Sequence, residues 1–299
     1  MKLIENKTFL SITILLLLPL IWGSSFILIK KSLVAFDWSQ VAALRMSITM
    51  ICFLPFVISN LKKVKSRKVF IGILLMALFG NALPAILYPI AQTQIDSSLA
   101  GVLNASTPIF TLLIGAILFN VLPNRKKMIS VIVGIIGASL LVLYGQEHKV
   151  GANNLYALFV VAATICYGIS GNAIKEYLQN VPPMTTGSVA FIIVGPLGLG
   201  YLFTTDFLEI MKIDENAWMS LGSVSALAIF STAIGTLLYV KLVQMTNAVF
   251  SSMVTYLSPI VAITLGFLDG EIITHWHFIG VALILLGIYL ARDKKKAVL

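Results

Sequence analysis

The chain has 299 residues, 59% of them hydrophobic and 11% charged, with 21 basic against 12 acidic side chains. A soluble protein is about 25% charged, so this composition excludes an ordinary water-soluble domain and makes lipid the natural solvent. The positive balance fits basic loops on one membrane face better than nucleic-acid binding, and Cys52 and Cys166, alone inside apolar runs, give neither a zinc pattern nor a disulfide framework.

A spanning helix needs about 20 mostly apolar residues, and backbone polar groups in lipid must bond within their own segment. That rule predicts ten spans, at 9–29, 38–58, 69–91, 97–119, 127–145, 153–174, 184–204, 217–241, 247–268 and 273–291. The first follows Lys2 and Lys7 as a secretory signal would, but its apolar run is too long for a typical signal core, so it is read as a retained span. With the N-terminus in the cytoplasm, sixteen of the 21 basic residues fall in inner segments, including the LKKVKSRK run at 61–68. Nine of the twelve acids then fall outside, so charge bias predicts an even number of spans with both termini cytoplasmic in a cell (inner) membrane. Arg45 is left inside the second span.

The first span carries LIWGSSFILIKKSL (20–33), which is echoed without a gap by ICYGISGNAIKEYL (165–178) in the sixth. Trp22 meets Tyr167, Gly23 meets Gly168, Ser25 meets Ser170 and Lys30 meets Lys175. A second echo joins 95–115 in the fourth span to 246–266 in the ninth, pairing Pro108 with Pro259 and Gly115 with Gly266. Tyr88 upstream pairs with Tyr239 at the same offset. Two echoes in one order predict a duplication with units at 1–150 and 151–299. Five spans per unit is an odd number, so the second copy crosses the membrane in the opposite sense. The predicted fold class is an all-α integral membrane protein of ten transmembrane helices in two inverted-topology five-helix repeats.

These residues resemble the drug/metabolite transporter superfamily, and within it the EamA-type permeases built from two five-helix domains. The resemblance rests on WGSSF in the first span, ALR at Ala43 to Arg45, SSLAGVLNASTPIF in the fourth, YLSPIVAITLGFLDGE in the ninth, and GVALILLGIYL near the C-terminus. It covers nearly the whole chain. It implies a carrier with a substrate cavity between the two halves, peripheral fifth and tenth helices, and export or exchange of small metabolites, often amino acids. One departure is that Glu271 follows the second copy's Asp-Gly as is usual in the family, whereas the first copy has Asn120.

Polar groups inside spans face protein or water, which selects the predicted substrate-binding residues: Trp22, Ser25, Asn81, Tyr88, Asn104, Tyr167, Asn172, Tyr239, Tyr256 and Arg45. For the small polar residues the competing reading is a bond to their own helix carbonyls, and for the aromatics an interfacial belt. Arg45 could meet a substrate carboxylate, or snorkel to outer headgroups. Pro108 and Pro259, deep in matched spans, are predicted hinges, against static bends. No acid stands in the middle of a span, which disfavours proton-coupled antiport of cationic drugs and favours a neutral, zwitterionic or anionic solute.

An enzyme reading finds no catalytic motif. HWH at 275–277 projects its two histidines to different sides without a third ligand, so no metal site is predicted, and no glycine-rich phosphate loop is present. No cofactor is predicted. The partners are a small-molecule substrate and the lipid bilayer, with no nucleic acid; monomer and homodimer both stay open, as do a channel and an intramembrane enzyme as alternatives to alternating access.

Overall fold

A computed structural model describes residues 2–119, 125–144 and 155–291. Asn120 lies outside them. The described residues contain helices and no strand. Eight helical stretches are long and apolar enough to cross a membrane: Phe9–Ser32, Trp38–Leu61, Arg67–Gln92, Ser97–Leu118, Ala157–Tyr177, Pro183–Leu202, Ala217–Met245 and Ala248–Leu268. They fall where eight of the ten spans are predicted. At the fifth and tenth places stand α8 (Arg125–Tyr144) and α16 (His275–Ala291), the latter with the shorter apolar stretch His275–Leu286.

Several spans are broken into segments. The first is α1 (Lys2–Gly23) and α2 (Ser25–Ser32), and the second is the continuous α3 (Trp38–Leu61). Asp37 caps α3 by accepting from the Ser39 and Gln40 amides while the Gln40 side chain returns to the Asp37 amide, satisfying donors that lipid could not. The third span is α4 (Arg67–Ala77), a π turn at Leu78–Ala82 and α5 (Leu83–Gln92). The eighth has the same form, with α12 (Ala217–Ala226), a π turn at Leu227–Ile234 and α13 (Gly235–Met245). Both π turns sit just before the paired tyrosines Tyr88 and Tyr239.

The proline-bearing spans break at matched places. The fourth is α6 (Ser97–Asn104) followed by α7 (Thr107–Leu118), and the ninth is α14 (Ala248–Ser252), a 3-10 turn at Met253–Tyr256 and α15 (Ser258–Leu268). Pro108 and Pro259 each occupy the first turn of the new segment, where the missing N–H would have had no intrahelical acceptor anyway. The prolines thus start helices rather than kink continuous ones.

The remaining helices are α9 (Ala157–Tyr177), α10 (Pro183–Leu202) and the short α11 (Phe207–Ile213). The core is assembled across the chain: α3 packs along α10, α7 along α9, and α6 along α15. Gly23 permits one such approach, since a Cβ there would stand 2.9 Å from the Ser258 carbonyl oxygen. α8 and α16 pack chiefly on each other; a Cβ on Gly137 would lie 2.9 Å from Leu283 Cβ. Their exposed Ile132, Ile136, Leu286 and Tyr289 give this pair an outward apolar face.

Candidate functional site

A central cavity of about 810 Å³, its open mouth included, is lined by residues of α1 to α7 together with α9, α13, α14 and the turns at Leu227–Ile234 and Met253–Tyr256. Trp22, Ser25, Arg45, Asn81, Tyr88, Asn104, Tyr167 and Tyr239 line it. Asn172 and Tyr256 lie outside that lining. Asn172 donates to the Thr111 carbonyl (2.9 Å) and the Gly168 carbonyl (2.8 Å), so its amide joins α7 to α9 instead. Tyr256 packs beside the core cluster that holds Phe26 and Tyr88.

Aromatic rings form two walls. Trp22 stands 5.3 Å from Tyr239, centroid to centroid, and its Nε1 donates to the Ser231 carbonyl at 3.0 Å. A second group has Tyr88 stacked on Tyr167 at 6.1 Å and in edge contact with Phe26 at 5.5 Å. The Tyr88 hydroxyl donates to Asn104 Oδ1 at 2.7 Å, which ties α5 to the last residue of α6 just before the proline break. Rings held this way offer large contact area with little freedom left to lose.

The π turns bring polar groups to the cavity. A π turn bonds i to i+5, which disturbs the regular ladder and recurs at functional sites. Asn81 Nδ2 donates to the Met76 carbonyl (3.1 Å) and Thr232 Oγ1 to the Leu227 carbonyl (3.1 Å), each five residues back. The first π turn is linked to the start of α13, where Thr236 Oγ1 donates to Asn81 Oδ1 at 3.2 Å. Arg45 Nε donates to Thr232 Oγ1 at 2.8 Å, and the Tyr167 and Tyr88 phenols lie within its electrostatic reach. Arg45 is 8% exposed and has no ion pair among the described residues.

Sequence reasoning did not name Ser231 or Ser252, which also line the cavity, nor Phe26 or Gly80. A usable signal existed for one of them. Carrying the offset that pairs Tyr88 with Tyr239 back through the third span places Ser231 opposite Gly80 and Thr232 opposite Asn81, and all four line the cavity.

At one end of the bundle stands an ionic cluster. Lys30 Nζ lies 2.7 Å from Asp269 Oδ2 and 2.9 Å from Glu271 Oε1, while Lys31 pairs with Asp269. Glu271 also accepts from Ser97 N (3.0 Å), Ser97 Oγ (2.6 Å) and Ser98 N (2.9 Å), so a carboxylate that follows α15 occupies the N-terminus of α6. Gly270, at φ 86°, makes the turn that aims it there. Hydrogen bonds from Lys30 and Lys31 hold the Asp269 carboxyl below its ordinary value. Burial alone would raise Glu271, but the bonds from Ser97, Ser98 and Lys30 outweigh it and hold that carboxyl low as well.

Comparison with known proteins decides the family. The model of the EamA-like transporter family matches residues 9–143 and again 154–292. The chain belongs to the EamA-like transporter family. It is 27% identical over 279 residues to an uncharacterized transporter of Archaeoglobus fulgidus, covering 92% of this chain and 95% of that one. It is 23% identical to the uncharacterized inner membrane transporter YedA of Escherichia coli K12, covering 93% and 91% of the two chains. It is 22% identical to an S-adenosylmethionine/S-adenosylhomocysteine transporter of Chlamydia trachomatis serovar L2, covering 87% and 81%. A solved crystal structure with 17% identity superposes at TM-score 0.58 over 96% of both chains, a likeness of fold. The EamA chain is therefore a multi-pass membrane protein and a transporter of small molecules, not an enzyme.

Proposed function

We propose that this chain is a secondary transporter, an exporter or exchanger of small metabolites such as amino acids and their derivatives, working by alternating access. In this reading ten helices form two inverted five-helix repeats, 1–150 and 151–299, that rock about the central cavity with both termini cytoplasmic. The observation that carries it is the cavity's construction: each family-matched stretch contributes a π turn, a tyrosine and a proline break at corresponding positions. A site made from two like halves in opposite senses can open to either face by exchanging their conformations.

Trp22, Ser25, Asn81, Tyr88, Asn104, Tyr167, Tyr239 and Arg45 then contact substrate. Asn172 holds α9 against α7, and Tyr256 supports the Tyr88 wall from behind. The helix starts at Pro108 and Pro259 are the hinges, because the segments before each break can tilt without losing a hydrogen bond inside a continuous helix.

Proteoliposomes preloaded with candidate metabolites test this. The compounds named for the chlamydial relative, the common amino acids and small carboxylic acids without an amino group are tried. Saturable uptake stimulated by internal solute is expected for at least one compound. Flux that is neither saturable nor stimulated would replace the carrier with a channel.

A further inference from the structure

Arg45 stands seven residues into α3, its backbone about 10 Å along the helix from the start. It is buried and lines the cavity, and a buried charge without a counter-charge is costly in a low-dielectric site. Its surroundings are neutral: the Thr232 hydroxyl at 2.8 Å and the two phenols of Tyr88 and Tyr167. A guanidinium presents five N–H donors in a planar fork that matches a carboxylate, so donors remain for a ligand. No Asp or Glu is among the residues lining the cavity. The other lining groups are rings, amides, hydroxyls and aliphatic carbons.

We infer that the cavity takes a small organic acid with one carboxylate, a planar apolar body and no ammonium group, the carboxylate seated on Arg45 and the body against the lining rings of Trp22, Tyr239, Tyr88 and Tyr167. This rests on the carrier reading proposed above and, within its small metabolites, puts carboxylic acids without an ammonium group in place of the amino acids. An α-amino acid holds its ammonium two bonds from the carboxylate carbon. Seating its carboxylate on Arg45 brings a second positive charge beside the guanidinium with no acid to meet it. Cation–π contact with the rings offsets part of that cost only. A neutral amide keeps the planar fit and loses the charge-assisted bonds, and a cation with no carboxylate adds like charge to Arg45.

Two matched series test this with the purified full-length protein. The first is indole-3-propionate, indole-3-propionamide, tryptophan and tryptamine; the second is 3-phenylpropionate, its amide, phenylalanine and phenethylamine. Each is titrated in thermal melts and then used in counterflow from proteoliposomes. The acid is expected to bind about tenfold or more tighter than its amide, and tighter than the amino acid, with the amine weakest. In Arg45→Gln the acid and amide are expected to become equal.

The wild-type comparison needs no variant, so a poorly folding Arg45→Gln does not protect the inference. Lack of an acid-over-amide preference on both skeletons overturns it, as does tighter binding of the amino acid, or a preference that persists in a folded Arg45→Gln. Saturable counterflow of tryptophan or an amide without acid preference overturns the inference and leaves the carrier intact. Acid-selective binding with unsaturable flux of every compound supports the Arg45 site and removes the carrier.

Discussion

Lys30 and Lys175 hold the same place in the two copies of one sequence motif, yet they meet different chemistry. Lys30 is joined to two carboxylates, one of which also seals the start of α6. Lys175 donates to the Thr246 carbonyl at 3.0 Å and to Gln179 Oε1 at 3.3 Å, both neutral. The two lysines stand at opposite ends of the bundle. Lys30 thus ties α2, α6 and the α15–α16 turn into one charged knot, whereas among the described residues Lys175 reaches across to Thr246, just after α13. A duplicated sequence does not impose duplicated energetics: the second copy has Asp269 and Glu271 where the repeat aligns Leu118 and Asn120 of the first, and both acids meet Lys30.

The largest break in that contrast is Glu271→Ala. It removes the counter-charge of Lys30 and leaves the Ser97 and Ser98 amides without their acceptor, at a cost of about 3 kcal/mol. The melting temperature of the purified variant should fall well below that of every other single variant proposed here. A loss no greater than that of Lys175→Ala would mean that the knot contributes little.

Acid sharpens the same point. Asp269 and Glu271 have folded-state values below the ordinary 3.8 and 4.5. Carboxylates of this kind contribute stability that is fully present above the ordinary values and lost as pH falls through the lower folded ones. Melts between pH 7 and pH 3 should therefore show a steep loss below about pH 4.5 in the wild type. In Glu271→Gln, which cannot titrate there, the slope should be shallower. Equal slopes would place the acid-sensitive groups elsewhere.

Lys175→Ala removes a partly exposed ammonium from neutral partners, and about 1 kcal/mol or less is expected. The smallest effect belongs to Asn120→Glu, which gives the first copy the acid that the repeat aligns with Glu271. A gain of under about 1 kcal/mol is expected, and no gain would mean that the acid missing at position 120 does not account for the difference between the ends. If the gain vanishes when Lys175→Ala is added, the new acid works through Lys175.

Much of this was legible in the chain. Hydropathy located eight helical stretches long enough to cross a membrane among the ten spans expected, since lipid imposes a minimum apolar length, and the Tyr88–Tyr239 and Pro108–Pro259 pairs fall at corresponding places in the two family-matched stretches. Eight of the ten residues picked as polar or aromatic groups inside spans line the cavity. Asn172 was indistinguishable from them in sequence, because an amide facing a cavity and one joining two helices have the same composition and depth. Ser231 and Gly80 were hidden for a related reason: a π turn rotates the helix face, so a pattern read at 3.6 residues per turn misses what the turn presents.

The sequence by itself determined a membrane-spanning, duplicated helical chain with one arginine inside a span, because these follow from local apolar length and from comparing the chain with itself. Only the tertiary structure decided that Arg45 meets Thr232 without a carboxylate, that the prolines begin helices, and that Glu271 closes the start of α6. Each of those pairs residues far apart in the chain, or depends on where a helix actually breaks. Neither hydropathy nor spacing carries that information.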